Sequence, residues 1–191
     1  MEDIWTQTRT DKKFSLNNIN PDNVCIEDIA SALSKQCRYN GHIDRFYSIA
    51  QHCICVAEGL LPQLSIYGLL HDAAEAYIGD ITMPVKQYLL KNNSDLIYDL
   101  EENILEAIYY KFNLKCPDLP LQAKVKKQDN IWLVLEALNM FDSIVDNWTE
   151  KYIMLDDIKD ITMEKALNPD EAEKEYIKKF YEYLKAYTEN E

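Results

Sequence analysis

The 191-residue sequence has no long apolar run. None of its hydrophobic stretches approaches the roughly 20 consecutive residues that a membrane-spanning helix needs. Its opening, MEDIWTQTRTDKK, lacks the basic-then-apolar pattern of a secretory leader. A cytoplasmic protein without a membrane partner is expected. Glycine, with 4 residues, and proline, with 6, are sparse. So few helix breakers favour helix. Cysteine is odd in count and scattered, at Cys25, Cys37, Cys53, Cys55 and Cys116, and no CxxC knuckle occurs. That excludes a disulfide framework and a cysteine-only zinc site, and predicts reduced thiols that serve mostly as small core residues. Arginine is scarcest of all: Arg9, Arg38 and Arg45 are the complete set. With 33 acidic residues against 20 basic ones, the formal charge is -13. Such a surface repels a nucleic-acid polymer. A small anionic substrate stays compatible, provided a cation or a few basic side chains make a local positive site.

What is present reads as one mostly α-helical domain over residues 1–191, built on a chain that is 47% hydrophobic. Residues 4–16 alternate weakly around the turn-like TDKK and predict a short N-terminal β-hairpin. Asn20-Pro21 opens a helix carrying Val24, Ile29 and Leu33, and CRYNGHIDRF breaks it as a loop. Helices are then expected over about Ser48–Leu60, Leu64–Tyr77, a short segment from Met83, Ser94–Phe112 and Leu119–Met140. Within Ser94–Phe112 the inner face is expected to hold Leu96, Leu100, Ile104, Leu105 and Ile108. Residues 141–168 mix short apolar and acidic pieces and predict no clear element. Asn168-Pro169-Asp170 opens a last helix that reaches about Tyr187.

The stretch LLHDAAEAYIGDI, Leu69 to Ile81, places His71, Asp72 and Glu75 inside an apolar frame, with Asp80 just after a glycine. Burying such groups costs several kcal/mol unless they are paired or ligate a metal. At about 100° per residue, His71, Asp72 and Glu75 share one arc of a helix. His52 lies on the apolar stripe of the preceding helix, with Ile49, Cys53 and Val56. Asp129 interrupts another apolar stripe, with Leu121, Val125 and Trp132, and Glu136 continues it. Two imidazoles and two carboxylates on inward faces suit one divalent ion such as Zn, Mn, Co or Mg. Plainer roles exist for each residue alone. A histidine can be a satisfied core group, Asp129 can pair with Lys126, Glu75 can face solvent, and Asp80 can cap the helix near Pro84.

The pattern His52, then His71-Asp72, then a distant Asp129 resembles the H…HD…D signature of the HD superfamily of metal-dependent phosphohydrolases. CRYNGHIDRFYSIAQHC followed by LLHDAAEAYIGDITMPVK is similar to the YfbR-like 5′-deoxyribonucleotidases and, more closely, to phage-borne relatives that include deoxyadenylate triphosphohydrolases. The resemblance spans about residues 4–136. It implies a helical HD-type fold, a metal held by His52, His71, Asp72 and Asp129, catalytic roles for Glu75 and Asp80, and phosphate binding by Arg38. It also implies a homo-oligomer. Glu75-Ala76 stands where the alarmone-hydrolase branch carries Glu-Asp. Beside this implied set, Lys86 is a further candidate for phosphate. His42, in the Arg38 loop, either contacts phosphate or braces the loop. Tyr39 and Tyr77 either stack on a base or pack as ordinary aromatics. The expected activity is hydrolysis of small 5′-(deoxy)nucleotides, mono- or triphosphates, at the α-phosphorus. The alternatives are an HD-fold nucleotide-binding or regulatory protein, and an interaction module with an incidental polar core.

Overall fold

The computed structural model describes residues 2–153 and 158–190. The fold is all-α apart from one N-terminal hairpin, as the sequence predicts. Strands β1 (Trp5–Gln7) and β2 (Lys13–Ser15) pair antiparallel, with Trp5 opposite Ser15. Phe14 turns inward from β2 and stacks on Tyr77, their ring centroids 3.7 Å apart. That contact pins the hairpin to the helical body and makes Tyr77 a core aromatic. A 3-10 turn at Pro21–Asn23, capped by the Asn20 side chain, leads into α1 (Ile26–Leu33).

Helix α2 (Ile49–Glu58) is the axis of the fold: every residue from Ile49 to Ala57 is buried. Its first turn is closed by the Ser48 side chain, which accepts from Gln51 N. It packs against α1, α3 (Ser65–Leu70), α7 (Leu119–Met140) and α8 (Pro169–Thr188). Gly68 sits where α3 crosses α2. A Cβ there would lie 2.8 Å from Ala57 Cα and 3.0 Å from Ala57 N, so only glycine permits this approach. Asn168 and Glu171 form a capping box at the start of α8. The Gln51 side chain accepts from Leu167 N and donates to Lys165 O, fastening the approach to α8 onto α2.

Four elements differ from the sequence pattern. The helix expected from Asn20-Pro21 is broken at Val24 and Cys25, both extended, so Val24 precedes α1 rather than riding on it. The single helix expected over Leu64–Tyr77 is α3, then a tight winding, then α4 (Glu75–Ile78). Through that winding the amides of Ala73, Glu75 and Tyr77 bond three residues back, to the carbonyls of Leu70, Asp72 and Ala74. Residues three apart then eclipse, which aligns Asp72 with Glu75. Both windings keep the apolar residues on one side, so hydrophobic spacing cannot tell them apart. After α5 (Met83–Lys91), helix α6 (Leu96–Lys111) starts beyond the core. Leu96 is exposed there, and the buried face is Ile104, Ala107, Ile108 and Tyr109. The unassigned stretch 141–168 contains a 3-10 segment, Val145–Lys151, bent by left-handed Asp146 and Asn147; its residues 154–157 lie outside the described set. Among the described residues no helix is long and apolar enough to cross a membrane.

Candidate metal centre

His52 is fully buried on α2. Its Nδ1 lies 2.8 Å from Glu136 Oε1, and its Nε2 lies 3.2 Å from Asp129 Oδ1 and 3.9 Å from Asp72 Oδ2. Glu136 and Asp129 both come from α7, two helical turns apart on the face that meets α2. His71 follows α3 directly. Its Nδ1 lies 2.7 Å from Gly68 O, an acceptor, so Nδ1 carries a proton and Nε2 is the ring atom left to face the carboxylates or a metal. That Nε2 is buried without a well-formed hydrogen bond, 3.2 Å from Asp72 Oδ2 and 3.9 Å from Asp129 Oδ1. His52, His71 and Asp72 each offer one donor atom, all within 4.8 Å of one another. This group can hold a metal ion, with Asp129 at its flank. Lys126 also reaches Asp129, with Nζ 2.5 Å from Oδ2, so the pairing expected as an alternative coexists with the histidine contact.

Electrostatics divide the carboxylates. Burial opposes charge on Asp72, but His71 and then His52 outweigh it and hold its carboxyl well below the usual range. Asp129 is likewise held low against burial, by its contact with His52 and the charge of His71. His71 runs the other way: burial disfavours its charge, yet Asp72 wins and raises its pKa. Glu75 is buried, with Oε2 lacking a partner. Burial, then Asp72 and Asp80, push it up to about 10. Asp80 is also raised, chiefly by burial, against the pull of Arg38. So two acids are driven towards the anion and two towards the protonated form. That separation among carboxylates that act on one another is typical of functional sites.

Gln36 sets the spacing of Glu75 and Asp80. Its Nε2 donates to Glu75 O at 3.0 Å, and its Oε1 accepts from Asp80 N at 2.9 Å. Between them Gly79 adopts φ 81°, ψ 164°, a conformation open in practice only to glycine. Asp80 therefore ends the α4 turn at the site. The cap alternative does not hold, because Thr82 stands at the N-terminus of α5 and no side chain caps it.

Of the three arginines, Arg9 pairs with Glu173 and Arg45 donates to Asn139 O. Arg38 alone reaches the centre. It opens a turn made by left-handed Tyr39 and Asn40, and its Nε donates to Glu136 Oε2 at 3.1 Å. Tyr39 anchors that turn through its hydroxyl, which donates to Leu133 O. His42, at the far end of the turn, is exposed, and its ring joins none of the site contacts. Lys86 is held 2.6 Å from Glu101 Oε1, close enough for Glu75 and Asp72 to act on its charge. Beside His71, Asp72 and Asp129 opens a cavity of about 550 Å³, walled in part by Tyr67, Tyr98 and Tyr109. Sequence spacing placed His52, His71, Asp72, Glu75 and Asp129 on inward faces. It assigned no role to Glu136, Gln36 or Gly68; the one available hint was a second acid, Glu136, continuing the Asp129 stripe.

An all-α protein with a buried His/Asp group able to hold a metal is the class these features define. No family model matches the chain. The Escherichia coli K-12 protein YfdR, described as uncharacterized, is 36% identical over 136 residues, spanning 71% of this chain and 72% of YfdR. The chain belongs to the family of YfdR. A second uncharacterized protein, from Rhodobacter capsulatus, is 29% identical over 147 residues, spanning 72% of this chain and 73% of its own length.

Proposed function

We propose that the chain is a metal-dependent phosphohydrolase of small 5′-(deoxy)nucleotides. The observation that carries this reading is the convergence of His52, His71, Asp72 and Asp129, with Arg38, Glu75 and Asp80 around them. The donor set fits a divalent ion. Both Nδ1 atoms are engaged, which leaves two Nε2 atoms directed at two carboxylates, and His71 Nε2 is a buried atom in need of a partner. Nitrogen and oxygen donors in this ratio suit Zn, Mn, Co or Mg. Such an ion, when bound, polarises a phosphoryl oxygen and makes water more acidic.

The remaining work falls to the chain. Arg38 has Nε directed to Glu136, and its terminal amino groups are the donors that would meet phosphate oxygens. Glu75 takes the proton from the attacking water; its raised pKa in the metal-free chain drops once positive charge enters the site. The new P–O bond forms as the bond from the α-phosphorus to the 5′ oxygen breaks. Asp80, also raised, returns a proton to that leaving oxygen. The products are a nucleoside and phosphate or polyphosphate. A panel of nucleotides incubated with the purified chain and each metal, with products read by mass spectrometry, tests the assignment. Nucleoside release from a mono- or triphosphate supports it, and no release from any nucleotide by metal-loaded protein rejects it.

A further inference from the structure

Glu136 has no solvent exposure, yet it is the carboxylate through which two parts of the site meet. Oε1 faces His52 Nδ1 at 2.8 Å and Oε2 accepts from Arg38 Nε at 3.1 Å. The partners lie 84 and 98 residues away in sequence. We infer that Glu136 is the positioning residue of this centre: one oxygen fixes the proton of His52 on Nδ1, so Nε2 faces the metal, while the other fixes the Arg38 fork. The inference rests on the metal-centre reading above.

The chemistry follows from counting donors. Arg38 Nε–H can only donate, and a metal-ligating His52 must donate from Nδ1. A carboxylate satisfies both because each of its oxygens accepts. A glutamine of nearly the same shape cannot, since it has one accepting oxygen and one donating NH2. If the amide oxygen turns to Arg38, the NH2 meets Nδ1. His52 must then move its proton to Nε2, the atom needed for the metal. If the oxygen turns to His52, the NH2 meets the Arg38 Nε–H head-on. With arginine absent, that conflict vanishes, and the amide oxygen is free to serve His52.

The test is a double-mutant cycle read by zinc affinity, using competition with a chromogenic chelator, on the full chain. Glu136→Gln should weaken zinc binding about 10- to 100-fold. In an Arg38→Ala background the same substitution should cost only a few fold. A purely Coulombic role would leave the loss undiminished there, because the negative charge is removed in both backgrounds, and that result overturns the inference. Nitrogen NMR of the imidazoles supplies an independent reading. In zinc-loaded wild type the His52 proton should sit on Nδ1, and a proton on Nε2 overturns the inference without any variant having to fold. In metal-free Glu136→Gln the His52 proton should shift towards Nε2. A role confined to packing would lower the melting temperature and leave the tautomer alone. Wild type that binds no divalent ion rejects the metal centre itself. Wild type that binds zinc, with Glu136→Gln equal to it, rejects only the role of Glu136.

Discussion

The two histidines of the centre are held by opposite means. His71 is fixed locally, by the carbonyl of Gly68 three residues earlier. His52 is fixed remotely, by a buried carboxylate on α7. A backbone acceptor survives nearly any side-chain substitution, whereas a side-chain acceptor is lost with a single one. The His71 half is therefore robust except where the backbone itself is disturbed, and the His52 half is open to mutation at a distance. The same division separates the carboxylates. Asp72 is carried by the winding of its own segment, while Asp129 arrives from α7 and shares its second oxygen with Lys126.

The largest expected effect ignores this difference and removes a donor from either half. His71→Ala and Asp129→Ala should each lose most bound metal, and with it activity. Elemental analysis after dialysis checks this; stoichiometric metal retained in both variants would sink the ligand set. Next comes a change that spares both halves. Glu75→Gln keeps size and a hydrogen-bonding head but deletes the proton acceptor, so turnover should fall about a hundredfold or more at unchanged metal content. A rate within a few fold of wild type would move the base role to Asp80.

How the two halves are built also decides how much could be read in advance. Most of the helices and the inward placement of His52, His71, Asp72 and Asp129 follow from spacing, because a 3.6-residue period reports which residues share a face, and the hairpin follows from two-residue alternation. Asp129 showed itself as an acid interrupting Leu121, Val125 and Trp132. What spacing cannot report is a partner far along the chain. Glu136 lay in view on the same stripe, but its bonds to His52 and Arg38 depend on how α7 lies against α2 and on the turn at Tyr39. The change of winding after Leu70 was hidden because it leaves the apolar pattern intact. His42 was placed near Arg38 by sequence proximity, but the left-handed residues between them leave it exposed. Lys86, a candidate for phosphate from sequence, is paired with Glu101, a partner that spacing does not reveal.

Arg38→Ala cuts the remote half downstream of Glu136 without touching a metal donor. Losing a charged hydrogen-bond partner costs about 1.5–3 kcal/mol, so catalytic efficiency on nucleotides should fall roughly ten- to a hundredfold with metal content unchanged. The loss appears in KM if the contact serves binding, and in kcat if it forms mainly in the transition state. Arg38→Lys should recover only part, because a point charge cannot bridge two oxygens while also donating to Glu136. Steady-state kinetics on the best nucleotide checks both variants, and an unchanged efficiency in Arg38→Ala would end the phosphate role.

The smallest expected effect probes the local half at its one weak point. Gly68 gives its carbonyl to His71 and also permits the contact of α3 with α2. In Gly68→Ala the new methyl would meet Ala57 Cα and Leu60 Cδ1 at 2.8 Å and Ala57 N at 3.0 Å. Two of these three atoms belong to backbone, so the helices must separate rather than a side chain swing away. Leu60→Ala, which clears only the third, should therefore not rescue the variant. Overpacking of this kind costs about 1–3 kcal/mol. For a chain of this size each kcal/mol lowers the melting temperature by about 2–4 °C. Because α2 carries His52 and α3 leads into His71, moving them apart should also weaken zinc binding, so metal and stability should fall together. A calorimetric scan with a parallel zinc titration reads both. An unchanged melting temperature would show that the close approach at Gly68 is not a constraint on the fold. A lower one with unchanged zinc affinity would separate the helix contact from the placement of His71.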